Sequence, residues 1–434
     1  MNEIKNDVLV VGGGLAGCVA AESVLKAGKN VTVLFSNGGM SEISSGAVDV
    51  LGVIPGEKPQ ICERYMEAVP ALLEKYPDHI YKDCGKKLQE GLDALVSLAK
   101  DGGYVLQGFD GKNVWVPNMM GTFSVNALVP DMMYDGVCVP GEKERVLVVG
   151  IEGNVAFRAG AAAVSYGQYQ KKLGGAAEYY STVIRLEGWG DRRKVSDGEL
   201  ADYLDTAEGI AELADRISTF CKSNRYKFDK ILLPPVLGYI NYSDNLKKLQ
   251  EACGCKAAEI EAVGNSVVGY RFTRALYRGL ERHGATLLRG AAAKSLAADK
   301  EEICVEAVLG LTDQMHPGTK VTCRGDALIL ATGGFVGGGI KARKTEVWIE
   351  LLDKKLGKVE ADQLDRDALS KSGQGFLKLG AEVNADMSVK DEAFGGRVYA
   401  CGNLLSGQNF ASERSGAGIA AASAFLAGIH AALK

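Results

Sequence analysis

The sequence predicts an α/β fold in which a parallel sheet, assembled from the two ends of the chain, is interrupted by an inserted second α/β domain. Strand-like apolar runs, typical of strands buried on both faces of a parallel sheet, occur near both ends, at residues 7–11, 30–35, 326–331 and 397–403. Two further runs, at 145–150 and 230–235, lie mid-chain. We therefore predict one domain over residues 1–54 and 263–434, with residues 55–262 inserted into it.

The composition is that of a soluble globular protein. Of the 434 residues, 47% are hydrophobic and 24% are charged, and the length allows one to three domains. A net charge of −4 without a basic stripe argues against nucleic acid as a partner. The apolar stretch 419–433 is too short to span a membrane, and the polar start lacks a signal-peptide pattern. We therefore expect a cytoplasmic protein without a transmembrane segment of its own.

Neither the cysteines nor the histidines indicate a metal site. The ten cysteines include one close pair, Cys253 and Cys255, and show no spacing typical of an iron–sulfur or zinc site. The four histidines form no paired ligand motif. We expect reduced thiols and no bound metal.

A glycine-rich turn follows the first strand. Residues 12–17 read Gly-Gly-Gly-Leu-Ala-Gly, and a helix is predicted from 18 to 26. In a dinucleotide-binding, Rossmann-like domain, Gly12 makes the tight turn, Gly14 admits the pyrophosphate and Gly17 lets the helix pack on the strand. The amides at the helix start, near Leu15 and Ala16, would face the phosphates. The alternative is a turn with a purely structural role.

One part of this nucleotide motif is missing. An acidic residue that binds the adenosine ribose should end the second strand, but Phe35 and Ser36 stand there. The sequence has no Asp or Glu between Glu22 and Glu42. FAD could still bind through Ser36 or the backbone, and FMN is the alternative.

Two loops of small residues follow other strands. Ser44, Ser45 and Gly46 could bring hydroxyl and N–H groups against a flavin ring, or could cap a helix instead. Thr332 and Gly333 follow the strand at 326–331, where glycine either lets a nucleotide approach the backbone or simply turns the chain.

The C-terminal region offers two further cofactor contacts. Gly402 and Asn403 end the last strand, and Asn403 could accept a hydrogen bond from the ribityl chain of a flavin. Gly416, Ala417 and Gly418 open the last helix, whose N–H groups could face the flavin pyrimidine and stabilise its reduced, anionic form.

Two arginines are candidates for a catalytic role. Arg271, just before a helix predicted over 272–282, could clamp a carboxylate or phosphate of a substrate, or could form a structural ion pair. Arg414, beside the C-terminal glycines, has the same two interpretations. The segment 341–371 is charged with a helical period, and we interpret it as a solvated insertion.

Taken together, these motifs resemble the B subunits of anaerobic glycerol-3-phosphate dehydrogenase complexes. The resemblance covers nearly the whole chain and is carried by residues 10–17, 44–49, 148–151, 266–271, 331–335 and the glycine-rich tail. It implies a flavoprotein fold related to fumarate reductase, with FMN or FAD as cofactor; the missing ribose carboxylate fits FMN better.

The same resemblance implies partners and a location. Members of the family work with a catalytic FAD subunit and an iron–sulfur subunit, peripheral to the cytoplasmic face of the membrane. They pass electrons from glycerol 3-phosphate towards iron–sulfur centres and quinone during anaerobic growth. We expect the isolated chain not to oxidise the substrate, because no histidine follows a flavin-site motif.

Two other functions remain open from the sequence. One is a stand-alone FAD-dependent reductase or dehydrogenase of the fumarate-reductase type. The other is a non-catalytic assembly subunit with a degenerate nucleotide site, which the departure at Phe35 and Ser36 slightly favours.

Overall fold

The computed structural model describes residues 2–139, 141–172, 174–189, 194–264, 266–298, 302–310, 318–360, 363–367, 370 and 373–434. The chain forms two compact units. The first unit comprises residues 1–42, 48–104 and 273–434, and the second comprises 43–47 and 105–272. Residues 55–104, which we expected in the inserted part, therefore group with the two ends of the chain, whereas 263–272 group with the second unit.

The helices begin and end as follows, in chain order: α1 Leu15–Lys26, α2 Gly39–Glu42, α3 Tyr65–Lys75, α4 Tyr81–Cys84, α5 Leu88–Asp101, α6 Asp131–Tyr134, α7 Ala159–Lys172, α8 Asp197–Leu204, α9 Ala207–Ser223, α10 Tyr242–Cys253, α11 Val267–Arg282, α12 Phe410–Glu413 and α13 Gly416–Ala431.

The strands have the following bounds: β1 Asn2–Lys5, β2 Val8–Val11, β3 Val31–Phe35, β4 Val53–Ile54, β5 Gln60–Ile61, β6 Leu106–Gly108, β7 Val114–Pro117, β8 Phe123–Asn126, β9 Leu128–Pro130, β10 Arg145–Ile151, β11 Glu178–Ile184, β12 Lys230–Leu233, β13 Lys256–Glu259, β14 Thr286–Arg289, β15 Ala291–Ala298, β16 Ile303–Leu309, β17 Lys320–Gly325, β18 Ala327–Leu330, β19 Ile340–Arg343, β20 Glu346–Ile349, β21 Lys354–Lys358 and β22 Val398–Ala400.

A five-stranded parallel sheet in the order β14-β3-β2-β18-β22 forms the centre of the first unit. Strand β2 pairs with β18, so the two ends of the chain share one sheet. The central strands are buried along their whole length, which explains why they read as continuous apolar runs. A second sheet, β1-β17-β16-β15, belongs to the same unit.

The second unit is built on a four-stranded parallel sheet in the order β11-β10-β12-β13. The chain moves one way from β10 to β11 and the other way from β11 through β12 to β13. Because such crossovers are right-handed, α7 must cover one face of the sheet and α9 and α10 the other. The core includes Val148, Tyr166 and Leu232. The inserted part is thus α/β, as the apolar runs predicted.

The expectation for residues 341–371 was wrong. Where the structure describes this segment it contains an antiparallel sheet, β19-β20-β21, rather than a helix. Val347 and Ile349 alternate with more exposed neighbours and are fully buried, so the apolar pattern that decided the fold has a period of two. Lys344 lies in the turn between β19 and β20 and adopts the left-handed backbone conformation, with a φ of 61°. Lys371 lies outside the described residues.

Candidate functional site

At two positions of the glycine turn after β2, main-chain carbonyl oxygens lie too close to leave room for a side chain. Gly12 has a φ of 129°, and a Cβ there would collide with the carbonyl oxygen of Ala331 at the end of β18. A Cβ on Gly17 would collide with the carbonyl oxygen of Gly12. These two glycines are therefore required by the approach of the turn to the sheet and to α1.

The amino end of α1, unlike Gly12 and Gly17, leaves room for a small side chain at Gly14. Gly14 is the N-cap, with a φ of −78°, and a Cβ there would lie 3.4 Å from the Ser41 hydroxyl oxygen, an ordinary contact. That hydroxyl accepts a hydrogen bond of 2.9 Å from the Leu15 N–H. Ser41, which lies in α2, thus occupies an amide that an anion would otherwise use. Sequence analysis missed Ser41; the signal available was its place in the Gly-Gly-Met-Ser segment directly after β3.

An aromatic pair stands beside the turn where the ribose-binding carboxylate was expected. The Phe35 ring lies so close to Gly13 that a Cβ on this glycine would be 2.8 Å from the Phe35 Cβ. Phe35 stacks on Tyr277, with 4.7 Å between ring centroids. The Tyr277 hydroxyl donates to the Gly13 carbonyl oxygen at 2.8 Å, and burial raises the pKa of Tyr277. Ser36 is exposed.

A small cavity of about 10 Å³, roughly the room of one water molecule, lies at the end of β22. The Asn403 Oδ1 atom is buried without a hydrogen-bond partner among the described residues, although its amide nitrogen lies 3.7 Å from the Met40 sulfur. An unsatisfied buried carbonyl oxygen costs about 1–3 kcal/mol, so it indicates a missing donor. The lining is otherwise apolar or backbone: Met40, Gly334, Phe335, Val336, Ile340, Leu377, Leu379 and Phe410.

Glycines shape the loops around this cavity. Gly333 has a φ of 72°, and Gly402 has a φ of 69° with its N–H donating to the Ser423 hydroxyl at 3.0 Å. A Cβ on Gly402 would lie 2.8 Å from the Ala16 Cβ. Thr332 packs against Gly339, where a Cβ would meet its side chain. The loops after β18 and β22 therefore meet the start of α1, as expected for neighbouring parallel strands.

The start of α13 is held by a carboxylate of the same chain. Asp49 accepts a hydrogen bond of 2.8 Å from the Ala417 N–H with its side chain, and another of 2.8 Å from the Gly418 N–H with its carbonyl oxygen. Burial raises the pKa of Asp49, while the Ala417 amide and the charge of Arg414 oppose that rise. A Cβ on Gly418 would lie 2.7 Å from the Val50 Cα, so this turn also excludes side chains.

A buried polar cluster fixes the loop that precedes α13. His79, Glu413 and Ser415 are each at most 3% exposed. The Tyr81 N–H donates to His79 Nδ1, so the ring proton lies on Nε2 and is donated to Glu413 at 3.1 Å. The Ser415 hydroxyl donates to the same Glu413 oxygen at 2.8 Å. Sequence analysis missed this cluster, because its members are 334 residues apart along the chain.

Hydrogen bonds decide the charge of Glu413. Burial alone would raise its pKa, but hydrogen bonds from His79, Ser415 and the Asn409 N–H outweigh burial and hold the pKa below its usual value. Glu413 is therefore ionised at neutral pH. The adjacent Arg414 is exposed and adopts a φ of 53°.

Residues 44–46 belong to the second unit and form turns rather than a helix cap. The hydroxyl of Ser44 accepts from the Gly46 N–H, and that of Ser45 accepts from the Ala47 N–H. The Ser45 hydroxyl also donates to Glu261 at 3.2 Å, and the Asn126 amide donates to the same carboxylate oxygen at 2.8 Å. The buried Glu261 thus fixes the turn.

The structure favours the structural interpretation of Arg271. Arg271 lies in α11 with its side chain fully buried, and its guanidinium is bonded to both Glu259 oxygens, at 2.5 and 3.1 Å, and to the Gly238 carbonyl oxygen. A guanidinium used in this way cannot also clamp a substrate. The expectation that Arg271 is catalytic is therefore not supported by its contacts.

The described residues contain neither a cluster of metal ligands nor a membrane-spanning helix. No group of three or more His, Cys, Asp or Glu residues there is placed to hold a metal ion. Within the same residues, no helix is both long and apolar enough to cross a membrane.

We expect Gly17→Ala to destabilise the first unit by about 3 kcal/mol, because the new methyl group would overlap the Gly12 carbonyl oxygen. Gly14→Ala, in the same turn, should change stability by less than about 1 kcal/mol. Urea unfolding followed by circular dichroism measures both. Equal stability of the two variants would contradict the assigned packing.

We expect Glu413→Gln to lower stability at pH 7 by about 2 kcal/mol, because it removes a charged acceptor from a buried cluster. The folded-state pKa of Glu413 is lowered, so its contribution is complete above its unfolded pKa of about 4.3 and is lost as pH falls through the folded value. The difference between variant and parent should therefore shrink in acid. Urea midpoints at pH 7 and pH 3 test this, with the exposed Glu67→Gln as control; a difference independent of pH would refute it.

Comparison with known proteins places the chain in a family. Residues 7–361 match the family model described as FAD binding domain. The chain is 26% identical to the B subunit of the anaerobic glycerol-3-phosphate dehydrogenase of Pectobacterium carotovorum, over 97% of each protein. It is 25% identical to the probable B subunit of the corresponding enzyme of Halobacterium salinarum, over 99% of this chain and 98% of that protein.

Among solved structures, 3-ketosteroid delta1-dehydrogenase from Sterolibacterium denitrificans superposes with a TM-score of 0.45 at 11% identity, covering 99% of each chain. The family model spans well over half of the 434 residues, and it includes the glycine turn, strand β18 and the whole second unit. The chain therefore belongs to the FAD binding domain family.

Proposed function

We propose that the chain is the flavin-binding B subunit of an anaerobic glycerol-3-phosphate dehydrogenase complex, which passes electrons from substrate oxidation towards iron–sulfur centres and quinone. The names of curated relatives that match it over nearly their whole length support this assignment. A catalytic FAD subunit and an iron–sulfur subunit would be its partners, and they would hold it at the cytoplasmic face of the membrane.

The observation that carries the flavin assignment is the buried, unsatisfied Asn403 Oδ1 in the cavity beside the glycine turn. A ribityl hydroxyl would supply the donor that this oxygen lacks. The amide end of α1 would hold phosphate oxygens once the Ser41 hydroxyl releases the Leu15 N–H. The residues present thus fit a flavin, and what a bound flavin supplies is uptake of two electrons together and their release one at a time.

The adenosine side of the site departs from the usual pattern. The end of β3 offers the exposed Ser36 hydroxyl rather than a carboxylate, and Phe35 is committed to Gly13 and Tyr277. Membership of the FAD binding domain family makes FAD the expected cofactor. Ser36 and backbone groups would then replace the missing carboxylate at the ribose.

We also infer that this chain relays electrons rather than oxidising the substrate. His79 is enclosed and bonded to Glu413, and His283 is bonded to Glu22 and Asp101. Arg271 is used by Glu259. These side chains are therefore occupied by structural contacts, while removal of the substrate hydroxyl proton needs a base within hydrogen-bond reach. His316 lies outside the described residues.

Reconstitution of the purified chain with FAD and with FMN tests the assignment. We expect retention of one flavin, identified by acid extraction and chromatography as FAD. With an artificial acceptor, the isolated chain should not oxidise glycerol 3-phosphate at a useful rate. A folded but colourless chain would contradict flavin binding, whereas robust turnover by the chain alone would contradict only the relay.

Gly14→Val should abolish flavin retention, because its side chain would extend between the α1 amides and Ser41 where the phosphates must approach. Gly167→Val is the matched control, since nothing lies within 4 Å of a Cβ at that helical position. Absorbance of the desalted protein measures flavin content, and circular dichroism verifies the fold. Normal flavin content in a folded Gly14→Val protein would end this assignment.

Asp49→Asn should raise the midpoint potential of the bound flavin. The substitution keeps an acceptor for the Ala417 N–H but removes a negative charge from the start of α13. Because the positive end of the helix dipole is then less neutralised, the start of α13 favours the anionic, reduced cofactor more strongly. Spectroelectrochemical titration measures the potential. Asp78→Asn, whose side chain is almost fully exposed, should leave it unchanged; an unchanged or lower potential in Asp49→Asn would remove α13 from the proposed flavin site.

A further inference from the structure

The end of β3 lacks the carboxylate that usually binds an adenosine ribose, but the structure brings another carboxylate back to this place. Glu42 is the last residue of α2, the short helix that follows the loop after β3. Its Oε2 atom accepts a hydrogen bond of 3.0 Å from the Gly38 N–H, so the side chain folds back onto that loop. A Cβ on Gly38 would lie 3.0 Å from the Glu42 Cβ, which shows how closely the two residues pack.

The same loop covers the start of α1, where the phosphates of the proposed flavin would bind. A Cβ on Gly14 would lie 3.5 Å from the Gly38 carbonyl oxygen. Ser41, which directly precedes Glu42, accepts from the Leu15 N–H. In a dinucleotide the adenosine ribose is joined directly to the pyrophosphate. A carboxylate on the loop that covers the phosphate end is therefore placed beside the ribose as well.

The Glu42 carboxylate keeps acceptor capacity for a ligand. Glu42 is half-buried, and in the described part of the chain its hydrogen bond from Gly38 engages Oε2. An ionised carboxylate has two oxygens and only accepts hydrogen bonds. Oε1 therefore remains for the ribose hydroxyl groups, which can both donate.

The end of the neighbouring strand offers a donor but no acceptor. Arg289 ends β14 in register with Phe35. Its guanidinium donates to Glu281 at 2.9 Å and lies over the Tyr277 ring, whereas its Nε is buried without an acceptor among the described residues. Arginine cannot accept a hydrogen bond, so it cannot replace the ribose carboxylate. Its unused N–H favours a ligand with acceptor atoms at this edge, such as the ring nitrogens of adenine, which FMN lacks.

We propose that Glu42 is the carboxylate that binds the adenosine ribose, and that it makes the site select FAD over FMN. This inference rests on the proposed function, because it concerns the same flavin. Oε1 accepts from the ribose hydroxyls while the Gly38 N–H holds Oε2, and Glu42 thereby joins the exposed Ser36 hydroxyl at this position. Because FMN has no adenosine, the charge of Glu42 contributes to the binding of FAD alone.

The test is a competition between the two flavins for the full-length chain. The chain is reconstituted with equal concentrations of FAD and FMN and desalted, and the retained flavins are released by acid and quantified by chromatography. We expect the parent to retain mainly FAD. Glu42→Gln should lower the ratio of retained FAD to FMN by about tenfold, because hydrogen bonds to a charged acceptor are stronger than those to a neutral amide. Glu67→Gln, which removes an exposed carboxylate from α3, is the matched control and should keep the ratio of the parent.

A second variant separates recognition of the ribose from support of the loop. Ser36→Glu in the Glu42→Gln background returns a carboxylate to the end of β3, where dinucleotide-binding domains usually carry it, and should restore most of the FAD preference. Glu42→Asp, whose shorter side chain withdraws the carboxylate, replaces Glu42→Gln if circular dichroism shows the latter to be unfolded.

The outcomes distinguish this inference from the proposed function. A parent that prefers FMN, an unchanged ratio in the folded Glu42 variant, or no recovery with Ser36→Glu would overturn the role of Glu42 and leave flavin binding standing. A parent that retains neither flavin would overturn the proposed function together with this inference.

Discussion

The approach of the Gly12–Gly17 turn to β18 is the constraint on which the first unit depends. The turn passes so close to the Ala331 carbonyl oxygen and to its own Gly12 carbonyl oxygen that side chains are excluded at Gly12 and Gly17. This packing brings α1 down onto a sheet whose neighbouring strands come from opposite ends of the chain. The contacts proposed for the flavin at Gly14, Leu15 and Asn403 lie at the edge where that turn and the loops after β18 and β22 meet.

Around this edge, the chain's own polar groups occupy the positions where a flavin would bind. Ser41 accepts from the start of α1, and Asp49 accepts from the start of α13. One amide at the start of α1 and two at the start of α13 therefore have acceptors without a ligand. Asn403 differs, because its carbonyl oxygen is buried and lacks a donor among the described residues. A cofactor bound as proposed would thus replace internal hydrogen bonds at the helix ends and add a missing one at Asn403.

In both units, buried carboxylates accept hydrogen bonds from several surrounding groups. Glu413 gathers His79, Ser415 and a backbone amide before α13. In the second unit, Glu259 binds Arg271, while Glu261, two residues further on, fixes the Ser45 turn. Each of these groups would be costly to bury alone, so each is surrounded by donors. The hydrogen bonds of Glu413 and Glu261 hold loops, whereas the ion pair of Glu259 joins β13 to α11.

The sequence alone determined the α/β class, the glycine turn, the pairing of both chain ends and the α/β character of the inserted part, because buried parallel strands and close turns demand particular residues locally. It misread residues 341–371, where charges at helical spacing hid a period-two burial of Val347 and Ile349. Only the tertiary structure decided that Arg271 is bonded to Glu259 and that His79 meets Glu413. The partners of these side chains lie 12 and 334 positions away, and no local preference of the chain encodes which distant groups the folding of the sheets brings together.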